Sequence, residues 1–113
     1  MPFHLCKLLP PRPSFPGDMT PEEMALMQEH GAYWQAVADR GEAVFVGPVL
    51  DPVAAWGMAI VEVSDAAAAS ALTEQDPLIL SGRGFRYEIY PIPQAILRTN
   101  HQPDPLREGR PKA

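Results

Sequence analysis

The sequence predicts an α+β domain in which a four-stranded antiparallel sheet carries two helices on one face. Three observations lead there. Apolar runs of strand length alternate with two helical stretches in the order β-α-β-β-α-β. Proline, glycine and Asp-Pro pairs punctuate the boundaries between them. The candidate strands are apolar on both faces, so the sheet needs cover on both sides. A chain of 113 residues is one domain's worth, and its 46% apolar and 20% charged residues are those of a globular protein.

Phe3 to Leu9 reads as the first strand. Pro10, Pro11, Pro13 and Pro16 then forbid regular pairing and predict an extended loop ending at Gly17-Asp18. Thr20-Pro21-Glu22-Glu23 is a helix start, with Thr20 as cap, Pro21 at the first helical position and Glu23 completing a capping box. The helix is expected to run to about Arg40, with Gly41 as its stop. On a helical wheel, Met24, Met27, Gly31, Trp34 and Ala38 share one side, widened by Leu26, Tyr33 and Val37. His30 lies within that apolar arc and is its one readily ionised side chain after the first turn.

Ala43 to Val49 is the second strand and Trp56 to Val63 the third, separated by an Asp51-Pro52 turn. Ser64-Asp65 opens an alanine-rich helix running to about Gln75, which Asp76-Pro77 ends because the residue before proline avoids the helical region. Pro77 to Leu80 is a further short turn closed by Ser81-Gly82. Phe85 to Tyr90 is the fourth strand, ended by Pro91 and Pro93. From Arg98 onward no periodicity remains, so a domain over 1–97 and an irregular tail over 98–113 are expected. Short right-handed connections arrange this order as a ferredoxin-like sheet. Two helices cover only one face of it, and a two-fold partner packing sheet against sheet covers the other, which predicts a homodimer.

Charge and composition exclude some functions. A net charge of −5 and a pI near 5.0 are poorly suited to nucleic acid, since phosphate binding needs clustered Lys and Arg. The tail residues Arg107, Arg110 and Lys112 read as solvated charge. No stretch reaches the roughly 18 apolar residues that cross a bilayer, so no membrane partner is expected. The start, Met1-Pro2-Phe3-His4, lacks the pattern of a signal peptide. Cys6 alone makes no internal disulfide, which suits a reducing compartment. A cytoplasmic protein is the expectation.

His30 is the first candidate for chemistry. A neutral imidazole accepts a proton near neutral pH, and a nearby carboxylate orients it and stabilises its charged form. The other reading is a core-edge histidine bonded to a backbone carbonyl. Asp76 reads either as the N-cap of the short turn after it or as the partner of His30, and its two oxygens allow both. Lys7 interrupts an apolar strand and reads as an anion contact or as an ammonium extended to water. Arg12, in the proline loop, is an anion contact or simply solvated. Arg86 is expected to face away from Phe85 and Tyr87, while His4 is expected to be structural. No glycine loop of phosphate-binding type, zinc-type Cys/His spacing or Ser-His-Asp signature is present, so no metal or other cofactor is expected. Haem or metal binding through His30 lacks a second inward histidine or a cysteine at ligand spacing.

Taken together, Met27-Gln28-Glu29-His30, Gly47-Pro48-Val49 with Asp51-Pro52, Ala55-Trp56-Gly57, Asp76-Pro77 and Gly84-Phe85-Arg86-Tyr87-Glu88-Ile89 resemble the YCII-related domain family, from about Phe3 to Leu97. The resemblance implies a dimeric α/β-barrel, two ferredoxin-like subunits packed sheet on sheet, with a His-Asp pair in a pocket beside the sheet as active site. The matching positions are His30 and Asp76. A related enzyme class removes chloride from a chlorinated aromatic diol, and the wider superfamily includes lactone isomerases and cofactor-free oxygenases. The proline loop and the tail have no equivalent in the smallest members, and both are candidates to close over the pocket. The expected function is a small enzyme using His30 and Asp76 as a general acid/base pair on a small aromatic or carbonyl compound. Lys7 or Arg12 would hold a negative oxygen of that substrate. The alternative is a non-catalytic dimer that binds or senses a small molecule.

Overall fold

Strand β1 (Phe3–Leu9), helix α1 (Pro21–Asp39), strands β2 (Ala43–Val49) and β3 (Trp56–Glu62), helices α2 (Ala66–Glu74) and α3 (Pro77–Leu80), and strand β4 (Arg86–Ile92) follow one another in a computed structural model that describes residues 1–98. Apart from Arg98, the expected tail lies outside the described residues, as do His101 and the basic residues of that tail.

The strands pair antiparallel in the order β2-β3-β1-β4, the ferredoxin-like arrangement expected from the element order. β1 and β3 are therefore central, and β2 and β4 are edges. That explains a difference from expectation: β4 does not stop at Tyr90 but continues through Pro91, which faces His4 of β1, to Ile92. A proline is tolerated in an edge strand, where its missing N–H need not interrupt a ladder. Pro48 occupies the other edge strand in the same way.

Alternation along β1 separates the two faces of the sheet. His4, Cys6 and Leu8 are buried on one, while Phe3, Leu5, Lys7 and Leu9 are half-buried on the other. Trp34 and Val37 of α1 and Ala69 of α2 pack with Cys6, Ala59 and Val61, so both helices lie on the first face. Burying a large apolar side chain there contributes roughly 1.5–3 kcal/mol. The Cys6 thiol is pushed up to about 11 by this burial, which keeps it an inert core group. A second cluster, Leu8, Phe15, Leu78 and Phe85, ties the proline loop and α3 to the same end of the sheet.

Both ends of α1 follow their sequence signals. The Glu23 N–H donates to Thr20 Oγ1 at 3.1 Å, and the Thr20 N–H to Glu23 Oε1 at 2.9 Å. At the far end Gly41 takes φ +86°, and the Glu42 N–H reaches back to the Val37 carbonyl at 3.1 Å. The apolar arc is shorter than expected. Met24 is 53% exposed, because the first turn of α1 faces the proline loop, where Glu23 occupies the inward position.

Glu23 receives the Arg12 guanidinium edge-on, Nη1 to Oε2 at 2.8 Å and Nη2 to Oε1 at 2.7 Å, while Arg12 Nε donates to Asp18 at 2.9 Å. This clasp pins the proline loop to the start of α1. The Arg12 hydrogen bonds, with the Thr20 N–H, hold the Glu23 carboxyl at about 2 against an ordinary 4.5. A carboxylate that is harder to protonate folded than unfolded stabilises the fold above the unfolded value, and that contribution disappears as pH falls through the folded one. Thermal stability should therefore drop as pH falls from about 4.5 to about 2, and Glu23→Gln should lose less across this window than the parent protein. Melting curves at stepped pH check this. Equal losses in the two proteins would contradict it.

Candidate active site

The two main helices divide the helical face between them, α1 approaching the sheet over β2 and α2 over β1 and β4. A cavity of about 350 Å³ remains between α1, the sheet and the proline loop. Small residues make room for it. Gly57 and Ala59 face inward on β3 between the larger Trp56, Met58 and Ile60, and Gly31 has nothing within 4 Å of where a Cβ would be. A Cβ on Gly57 would already stand 3.2 Å from Leu8. The walls are mostly apolar, with Met27, Phe15, Pro16 and Phe85 among them, and the volume is within the range of small-ligand sites.

His30 and Trp34, one helical turn apart on α1, and Tyr87, on β4, also line the cavity. All three donate to one carboxylate, Asp76, which has no exposed surface. His30 Nδ1 lies 2.7 Å from Asp76 Oδ2, Trp34 Nε1 2.9 Å and the Tyr87 hydroxyl 2.5 Å from the same oxygen. Oδ1 accepts the Leu78 N–H at 2.9 Å. Asp76 is thus the N-cap of α3 and the partner of His30 at once, the dual use that two oxygens permit.

An ionised carboxylate only accepts, so Nδ1 must be the donor and Nε2 is the ring nitrogen left over. The His30 side chain is 14% exposed, enough to meet a molecule in the cavity. Burial pushes the Asp76 carboxyl up, but the hydrogen bonds from His30, Tyr87 and Trp34 outweigh it and hold the group below the usual carboxylate value. Among the described residues no Lys or Arg pairs with Asp76.

The two expected anion contacts are placed elsewhere. Lys7 lies on the sheet face opposite the helices, its ammonium 4.7 Å above the Trp56 ring. Arg12 is committed to Glu23 and Asp18 and is not among the residues lining the cavity. Neither is brought to His30. Among the described residues no group of three or more His, Cys, Asp or Glu is placed to hold a metal.

Sequence reasoning missed Trp34 and Tyr87 as donors to Asp76. The signal for Trp34 was its place one turn after His30, since a buried indole N–H needs an acceptor. For Tyr87 it was inward alternation on β4, which only the register with Leu8 makes specific. The alternation of small with large side chains along β3 was the readable sign of the cavity.

A protein-family model described as YCII-related domain matches residues 7–93. No match is found among curated proteins.

Proposed function

The chain belongs to the YCII-related domain family, and from that premise we propose a small enzyme in which His30 moves a proton on a molecule bound in the cavity. One observation carries this: a cavity-lining imidazole is held through Nδ1 by a fully buried carboxylate that no Lys or Arg pairs with among the described residues. Nε2 is the acid/base atom. In the neutral ring its lone pair takes a proton from a C–H or O–H of the bound molecule. The resulting imidazolium is balanced by the Asp76 charge, and Nε2 returns the proton to another atom of the same molecule or to water. The apolar walls suit a small aromatic or carbonyl-bearing compound, uncharged overall because no Lys or Arg among the described residues lines the cavity.

A library of such compounds incubated with the purified protein tests this. Product formed by the parent protein and lost in His30→Ala is the expected result. Saturable binding with no product for any compound would replace the enzyme with a binding module.

A homodimer accompanies this reading. The sheet face away from the helices carries half-buried Leu5, Met58 and Ile60, with Phe45 55% and Tyr90 46% exposed. A second copy packed on this face removes those groups from water. Sedimentation should give a dimer for the parent chain and a monomer for Ile60→Asp, and a monomeric parent chain would contradict the pairing. No helix among the described residues is long and apolar enough to cross a membrane. A cytoplasmic setting goes with a buried, unpaired Cys6.

A further inference from the structure

We propose that Tyr87 is the positioning residue of this pair: its phenol, backed by the Trp34 indole, keeps Asp76 a pure acceptor and so commits His30 Nδ1 to donating. The inference rests on the acid/base reading of His30 and adds to it the group that enforces one ring tautomer.

A buried carboxylate without a Lys or Arg partner tends to take up a proton. A protonated Asp76 would donate instead of accept, and His30 would then carry its proton on Nε2, where it has no lone pair to offer. The donors around Asp76 whose direction does not depend on the His30 tautomer oppose that state. Oδ2 accepts from the Tyr87 hydroxyl at 2.5 Å and the Trp34 N–H at 2.9 Å, and lies 2.7 Å from His30 Nδ1. Oδ1 faces the Leu78 N–H at 2.9 Å. An acid proton on Oδ1 would point at the Leu78 N–H, and one on Oδ2 would compete for that oxygen with the Tyr87 hydroxyl and the Trp34 N–H, whereas the ionised carboxylate accepts from all of them.

Of the three groups at Oδ2, Tyr87 is the closest, and its direction is itself determined. The Trp34 N–H also reaches the Tyr87 oxygen, at 3.1 Å, which occupies the phenol's accepting side and aims its proton at the carboxylate. Burial first, and then the Asp76 charge, push the Tyr87 hydroxyl far above its ordinary value, so it donates a hydrogen bond without losing its proton. The pair is faced by His30 and Trp34 from α1, Leu78 N–H from α3 and Tyr87 from β4. Nearby are the Cys6 thiol of β1 and the Tyr33 hydroxyl, which donates to the Leu72 carbonyl at 2.6 Å. Among the described residues none of these is a Lys or Arg.

The test follows the Asp76 carboxyl carbon by ¹³C NMR against pH in three full-length proteins. Tyr87→Phe keeps the ring and removes the donor, and its Asp76 midpoint should rise by about one unit or more relative to the parent. A difluorinated tyrosine at position 87 is a stronger donor, and its midpoint should fall. Opposite shifts are what a donor produces and what a merely space-filling ring does not. An unmoved midpoint in Tyr87→Phe, or shifts of one sign in both proteins, would overturn the proposal. The readout needs no substrate, so its failure is separable from failure of the acid/base reading, which turnover by His30→Ala decides.

Discussion

Asp76→Ala is expected to lower the unfolding free energy by about 3–5 kcal/mol, a large part of the roughly 5–15 kcal/mol that holds a domain together. The carboxylate is fully buried and satisfies four donors at once: His30, Trp34, Tyr87 and the Leu78 N–H. Alanine leaves all four without that acceptor. Trp34 keeps the Tyr87 oxygen, which softens one loss. Each remaining orphaned donor costs about 1–3 kcal/mol. The same change removes the cap of α3 and so loosens the Leu78 side of the second apolar cluster. Urea denaturation read by tryptophan fluorescence measures it, with the midpoint falling at nearly constant slope. A loss below about 1 kcal/mol would mean that water reaches the site and replaces the carboxylate.

His30→Ala is expected to behave in the opposite way, with a small loss of stability and a large loss of rate. The Asp76 carboxylate keeps its Trp34, Tyr87 and Leu78 donors, so the fold survives. Turnover should fall by about 10² to 10⁴-fold, the usual contribution of a positioned acid/base group. The deletion opens space directly into the cavity that His30 lines. Imidazole added to the solution should therefore restore part of the rate, and restoration should saturate. Steady-state kinetics with the compound found in the library screen gives both numbers. A variant that turns over at the parent rate would remove His30 from the chemistry.

The two changes separate what His30 and Asp76 do, and that division was only half legible in the sequence. The scaffold was readable because its signals are local. Thr20-Pro21-Glu22-Glu23 caps α1 whatever it packs on, Gly41 ends it, and Asp65 caps α2. His30 was readable because an ionisable group on the apolar side of a helix stands out within one wheel. Asp76 was visible as a cap, while its approach to His30, 46 positions earlier, is a tertiary fact. Trp34 reads in the sequence only as part of the apolar side of α1 and Tyr87 only as a strand aromatic, because nothing local shows which buried ring has its polar atom against a carboxylate.

Two other residues show the same limit. Lys7 interrupts a strand, but whether it faces the helices or the opposite side depends on the pleat, and it lies on the opposite side, over Trp56. Arg12, in the proline loop, reads as solvated or as an anion contact, and nothing local pairs it with Glu23, 11 positions later. In the folded chain Glu23 serves both the cap and the Arg12 clasp. Pro91 misled for a related reason. Proline ends a central strand but is accepted at an edge, and the edge position of β4 follows from topology rather than from its own residues.

The ¹⁵N spectrum of the His30 ring reads out which nitrogen carries the proton. Recorded with the ring neutral, it should show the proton on Nδ1 and a bare Nε2, because Asp76 can only accept. A neutral ring with its proton on Nε2, or with the two nitrogens sharing it equally, would contradict the proposal that His30 offers the cavity a base.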